Sequence, residues 1–236
     1  MPLSAALPLS EHRALVRQYL RGIGFPFTSV AGRIIEERLP LHGASAPLRP
    51  GLVLWATEAR GEGDDALADA LPVAAAFDLF DRFMVLHNEL AAGSATPAVE
   101  RWGLGQSLNA GDALFAVAFR ALASDVRNPA RRLQAARVVG EAVLAAIESA
   151  EAESGARDEL TGAALQAGAI VGGASSSAAQ AFARAGRLLG SAAQTADAAN
   201  ARRMAAQAVT ALRRHVDASS LHAFEQAAHY VAQPAA

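Results

Sequence analysis

What most constrains this chain is the dominance of alanine and leucine along almost its whole length, with none of the β-branched runs between turn residues that strands require. Both residues lose little conformational freedom in a helix, so the backbone is predicted to be helical nearly throughout and the fold class to be all-α. Punctuation divides the helices. Ser10 precedes EHRALVRQYL, Pro50 stands at the start of GLVLWATEA and Pro72 at the start of VAAAFDLFDRF. Asn128-Pro129 form an N-cap and first-turn pair, and Ser175-Ser176-Ser177 precede AAQAFARAGRLLG. The glycines Gly22/Gly24, Gly61/Gly63, Gly103/Gly105 and Gly172/Gly173 read as helix ends. Small faces at Ala74 to Ala76, Ala116/Ala118 and Ala163/Ala164 let helices approach closely, which predicts a packed bundle.

At 236 residues and 52% hydrophobic, the chain is long enough to bury one substantial core, and residues 1–236 are expected to form a single domain. The most linker-like stretch, RGEGDDALADA, is too short to separate two. A balance of 21 basic against 23 acidic residues creates no field for a polyanion, so no nucleic-acid partner is expected. There is no cysteine, which excludes disulfides, thiolate nucleophiles and cysteine metal sites. The N-terminus lacks the pattern of a secretory signal and no apolar run is long enough to span a bilayer, so a cytoplasmic protein without a membrane span is expected. All 21 basic side chains are arginine. No phosphate-binding loop, dinucleotide fingerprint or Ser/His/Asp arrangement is recognisable. His215, His222 and His229 recur every seven residues, about 10.5 Å apart if helical, too far for one ion, and suggest a packing or subunit seam.

The segment LPVAAAFDLFDRFMVLHNEL, from Leu71 to Leu90, resembles the active-site helix of the trans-isoprenyl diphosphate synthases, or polyprenyl synthetases. That helix runs Ala-Ala-Ala-x-Glu-x-x-His and ends in an Asp-rich motif. Further landmarks follow the family's order. Leu48-Arg49-Pro50 resembles the end of Gly-Gly-Lys-Arg-x-Arg-Pro; Trp102-Gly103 followed by LNAGDALFAVAFRAL resembles Phe-Gly…Leu-Ala-Gly-Asp-Ala-Leu; Thr161-Gly162-Ala163 resembles Lys-Thr-Gly-Ala. LLGSAAQTADAAN is similar to the second Asp-rich segment, and HAFEQAAHYV to the last helix.

The resemblance implies an isoprenoid-synthase bundle around a central cavity, in which two facing Asp-rich motifs hold Mg²⁺ against an allylic diphosphate. Hard Mg²⁺ favours such anionic oxygen ligands. This chain departs from the pattern at most of those positions. The first motif keeps Asn88 and Glu89 but has Ala92 for its third carboxylate; the second keeps Asp197 but has Ala198 and Ala201. On the basic side Arg49 remains, while Ala46 and Pro47 replace a Lys and an Arg, Asp81 replaces a His, and Leu160 replaces the Lys before Thr161.

Residual substrate contacts are therefore expected at Arg49, Asp81, Thr161 and Gln194, and residual metal contacts at Asn88, Glu89 and Asp197. Each has a structural alternative. Arg49 serves as a helix-end cap or partner; Asp78 and Asp81 as solvent-facing charges, with Asp78 pairing Arg82; Asn88 and Glu89 as relics of the motif in a polar cavity; Thr161, Gln194 and Asp197 as a hydrogen-bonded cluster between helices. The helix carrying Asp81 to Ala92 is expected to face a helix carrying Gln194 to Ala201. No catalytic residue is assigned, and no cofactor is expected beyond weak Mg²⁺. The resemblance implies a non-catalytic or regulatory subunit of a prenyl diphosphate synthase, paired with a catalytic subunit or with itself. The alternative is a repurposed isoprenoid- or lipid-binding protein, or an atypical prenyltransferase or terpene synthase-like enzyme that uses the bundle cavity.

Overall fold

The computed structural model describes residues 9–23, 29–38, 48–60, 64–91, 97–150 and 157–233, and among them it contains eleven α-helices and no strand. These are α1 (Leu9–Gly22), α2 (Val30–Arg38), α3 (Leu48–Glu58), α4 (Asp64–Ala91), α5 (Pro97–Trp102), α6 (Leu104–Asp125), α7 (Pro129–Ala150), α8 (Arg157–Val171), α9 (Ser176–Gln194), α10 (Ala198–Leu212) and α11 (Ala218–Val231).

Local chemistry accounts for several boundaries. Asn128 Oδ1 accepts from the backbone N–H groups of Ala130 and Arg131, each at 3.1 Å, and Pro129 opens α7. Ser175 Oγ accepts from Ala178 N–H at 3.3 Å ahead of α9. Gly103 (φ 80°) separates α5 from α6, and Gly173 (φ 84°) turns the chain after α8, both in the left-handed region that favours glycine. Three sequence expectations are corrected. Ser10 lies inside α1, and Gly105 lies in the first turn of α6. Pro72 does not start a helix but sits inside α4, which begins at Asp64. The hydrogen bond it forgoes is to the carbonyl of Ala68, an exposed residue. Gly24, Gly61 and Gly63 lie outside the described residues.

Helices α3 and α8 form a shared wall with an apolar cluster on either side. Val53 and Leu54 of α3 and Ala164 of α8 join Val73, Phe77 and Phe80 of α4, Leu114 of α6 and Val139 of α7. From the other face, Leu52 and Trp55 of α3 and Leu165 of α8 join Phe182 and Leu189 of α9, Leu212 of α10 and Phe224 of α11. Trp55 stacks on Phe224 with ring centroids 4.9 Å apart. Glycine permits the wall to close: a Cβ on Gly168 of α8 would lie 2.3 Å from the Val53 carbonyl oxygen. Thr57 Oγ1 donates to the Gly168 carbonyl at 2.9 Å across the same crossing. Helix α4 is buried at every residue from 72 to 80, as a helix hydrophobic all round must be.

The three histidines do not form one stripe. His215 falls in the turn after α10, its carbonyl accepting from Arg60 Nη1 at 2.7 Å, whereas His222 and His229 are exposed on α11. Asp217, which caps α11 through Ser219 and Ser220 N–H, interrupts the helix between them.

Candidate functional site

Four charged side chains meet where the first turn of α3 crosses α4. Arg49 donates to Asp81 through Nη1, and Arg82 Nε donates to Asp78 Oδ2 at 2.8 Å within α4. Residues 78, 81 and 82 share one face of that helix, since positions three and four apart are neighbours. Both guanidinium side chains are 15% exposed, and the Asp78 and Asp81 side chains 6% and 22%. Asp78 does pair with Arg82, and it is buried rather than solvent-facing, whereas Asp81, just past the fully buried stretch, is partly exposed. Burial pushes the Asp81 carboxyl up to about 6, Asp78 adding to the rise while Arg49 and Arg82 oppose it.

Two turns further along α4, His87 lies on Phe83 with ring centroids 4.3 Å apart. Its ring occupies space left by Gly111 of α6, where a Cβ would sit 2.3 Å from His87 Nε2. Burial lowers the His87 pKa, and Asp112, with its carboxylate 3.9 Å away, opposes the shift. Asn88 is exposed and Glu89 half-buried. Ala92, Ala46 and Pro47 lie outside the described residues.

The remaining candidates do not gather around that charge cluster as one set. Thr161 is buried in the second turn of α8, where its carbonyl oxygen would lie 2.4 Å from a Cβ on Gly186 of α9. Gln194 is exposed at the end of α9 and donates from Nε2 to the Gly190 carbonyl at 3.1 Å, within its own helix. Asp197 is the N-cap of α10: its Oδ1 accepts from Ala199 N–H at 2.9 Å and Asn200 N–H at 3.2 Å. The expected single helix from Gln194 to Ala201 is thus two, with a break at Thr195, Ala196 and Asp197. Local capping won there. Ala201 is buried in the second apolar cluster rather than in a polar lining.

These donors do not fit a Mg²⁺–diphosphate cluster. Hard divalent cations need several oxygen ligands free to converge. Asp78 and Asp81 are tied to arginines and Asp197 to backbone N–H groups, and among the described residues no three His, Asp or Glu side chains are grouped so as to hold an ion.

A cleft of about 410 Å³ lies elsewhere, between α7, α8 and α9. Arg137, Glu141, Glu159 and Arg187 form its charged rim, and Val138, Ala163 and Ile170 contribute apolar walls. Arg137 Nε donates to Glu141 at 2.8 Å, an i,i+4 pair visible in the sequence, but the cleft itself required the α7–α8–α9 arrangement to be seen. None of the seven residues predicted to bind substrate or metal lines it.

No protein-family model matches the chain. A curated geranylgeranyl diphosphate synthase of Mycobacterium tuberculosis (strain ATCC 25618 / H37Rv) is 34% identical over 106 residues, covering 41% of this chain and 30% of that protein. The match therefore spans less than a third of the curated relative. Among solved structures, geranylgeranyl pyrophosphate synthetase from Pyrococcus horikoshii Ot3 superposes with a TM-score of 0.85 at 18% identity, covering 99% of this chain and 98% of that one. A deletion mutant of the heterotetrameric geranyl pyrophosphate synthase of mint gives 0.72 at 19% identity, over 93% and 98% of the two chains. The chain has the all-α fold of the isoprenyl diphosphate synthases.

Proposed function

We propose that this chain is a non-catalytic or regulatory subunit of a prenyl diphosphate synthase, acting in isoprenoid metabolism as one cytoplasmic domain beside a catalytic subunit. The observation that carries the reading is the diversion of acidic and basic groups at the aligned positions to internal tasks. Arg49 is bound by Asp81, and Asp197 holds the start of α10. Fold alone does not confer activity; the site does. Heteromeric assembly has a precedent in the mint synthase of the same fold. The apolar side chains exposed on α4, α6 and α7 supply a surface for a partner subunit or a second copy. Sharing of α3 and α8 by both apolar clusters supports one domain.

The test is a product assay. The isolated protein, given isopentenyl diphosphate with dimethylallyl, geranyl or farnesyl diphosphate in Mg²⁺, is expected to form no longer prenyl chain. Incorporation of labelled isopentenyl diphosphate, lost on substituting Asp197, would overturn the reading. A second reading, an isoprenoid or lipid binder, draws on Val138, Ala142, Ala163, Ile170 and Ala179 in the α7–α8–α9 cleft, whose remaining lining is mostly polar or charged. A lipid that co-purifies stoichiometrically with the monomer, with no effect of the protein on a prenyl diphosphate synthase, would favour it.

A further inference from the structure

A nearly balanced total charge conceals a local excess. Residues 160–216 hold six of the 21 arginines (Arg184, Arg187, Arg202, Arg203, Arg213 and Arg214) but one of the 23 acidic residues, Asp197, so the rest of the chain is net acidic. All six arginines are exposed. Four of them belong to α10 and the turn after it, a stretch with no acidic side chain between Asp197 and Asp217. On α10, Arg203, Gln207 and Thr210 are exposed at three- and four-residue spacing and so form one stripe, which Arg214 extends and Arg202 and Arg213 border. Most of these charges are uncommitted. Arg187 lies 3.7 Å from Glu159 and Arg203 donates to the neutral Asn200 at 2.8 Å, whereas the side chains of Arg184, Arg202, Arg213 and Arg214 make no hydrogen bond or ion pair among the described residues. Asp197, the N-cap, stands at the opposite end of α10 from Arg213 and Arg214.

We propose that this face of α10 docks on an anionic lipid surface, its arginines contacting phosphate headgroups while no part of the face enters the bilayer. The chemistry of the face selects that partner. Among the described residues no large exposed hydrophobic side chain lies on α9 or α10, so the face lacks the apolar or aromatic centre on which a specific protein interface is built. The one aromatic residue of the segment, Phe182, is fully buried, which leaves no ring to stack on a nucleic-acid base. A long polyanion would also run from the face onto the net acidic remainder of the chain. A lipid surface is planar and meets the basic face alone, and at about 0.1 M salt acidic groups more than about 10 Å behind that face are screened from it. Guanidinium forks match phosphate oxygens, and with no apolar wedge on the face the attachment is electrostatic, reversible and sensitive to salt.

Co-sedimentation of the full chain with lipid vesicles tests this. In about 50 mM salt the wild type is expected to bind phosphatidylcholine vesicles that contain about 30% phosphatidylglycerol and to leave pure phosphatidylcholine vesicles unbound. About 1 M salt, where the screening length falls to about 3 Å, should release it. Arg203→Gln combined with Arg214→Gln should weaken binding about thirtyfold, each arginine near such a surface being worth about fivefold. The charge-matched control, Arg21→Gln on α1 with Arg137→Gln on α7, removes two charges elsewhere and should bind like the wild type. Absence of binding to the anionic vesicles would overturn the proposal, as would binding that ignores salt, equal binding to the neutral vesicles, or an equal loss in the control. Tighter binding of a nucleic-acid oligonucleotide than of the anionic vesicles in the same buffer would also overturn it. Circular dichroism checks both variants, and the lipid and salt dependence of the wild type decides the matter if either fails to fold. The outcome is independent of the functional reading, which turnover by the isolated protein sinks and vesicle binding does not touch.

Discussion

Asp81 illustrates how a residue can hold a site together and still cost stability. Burial raises its folded-state value to about 6, while the unfolded chain leaves the carboxyl in its ordinary range, so between these values the folded state binds more protons. Its stabilising contribution is therefore complete below about pH 4, falls as pH rises toward 6, and is level above about 7. The shift corresponds to at most about 3 kcal/mol, and less in practice because the side chain is 22% exposed. Urea unfolding across this range should show the wild type losing about 1–3 kcal/mol relative to Asp81→Asn as pH rises from 4 to 7. A constant difference between the two proteins would mean that Asp81 titrates normally. The pairing of Asp81 with Arg49 was not legible in the sequence, since 32 residues and a helix change separate them. The Asp78–Arg82 pair was legible from its spacing, but its burial was not, because the stretch from 72 to 80 is buried on every side and its periodicity marks no outer face.

At the scale of elements, the glycines of α8 and α9 decide how closely the helices pack. Gly186→Ala would place a Cβ 2.4 Å from the Thr161 carbonyl oxygen and 2.7 Å from Gly162 Cα, both backbone atoms that cannot turn aside. The expected cost is about 1–3 kcal/mol in thermal or denaturant unfolding, more than the gain in helix propensity returns. Gly140→Ala of α7 is the contrasting substitution. Its Cβ would meet nothing nearer than Phe119 at 3.8 Å, so it should be neutral or stabilise by up to about 1 kcal/mol. A Gly186→Ala protein as stable as the wild type would show that α8 and α9 do not pack this closely. The all-α class, the Asn128-Pro129 start and the Ser175 cap could be read from residue types alone, because capping is a local interaction. Pro72 misled because a proline tolerated inside a helix looks the same in sequence as one at a helix start. The break before α10 had a local signal as well, an aspartate ahead of AANARRM, but the resemblance to an Asp-rich motif gave that residue a different meaning.

Across the whole molecule, exposed large hydrophobics are concentrated rather than scattered. Among the described residues Val85, Leu104, Leu108, Leu133, Leu144 and Ile147 all lie on α4, α6 and α7, and only Tyr230 lies elsewhere. These three helices pack on one another. Isolated exposed leucines need no explanation, but a concentration of them marks an association surface. On α6, Asp112, Ala116 and Arg120 recur every four residues along an exposed face. An antiparallel crossing of two copies centred on the small Ala116 would set Asp112 of each opposite Arg120 of the other, a self-complementary arrangement of the kind a two-fold dimer needs. Leu108→Glu combined with Leu144→Glu should therefore abolish association with a second copy or with a catalytic prenyl diphosphate synthase subunit. It should leave the melting temperature of the monomer nearly unchanged, because neither side chain is in the core. Sedimentation of wild type and variant, alone and mixed with that synthase, reads the effect, and Tyr230→Glu on α11 serves as the control. A variant that still associates like the wild type, or a control that disrupts as strongly, would place the interface elsewhere and remove the surface argument for a subunit role.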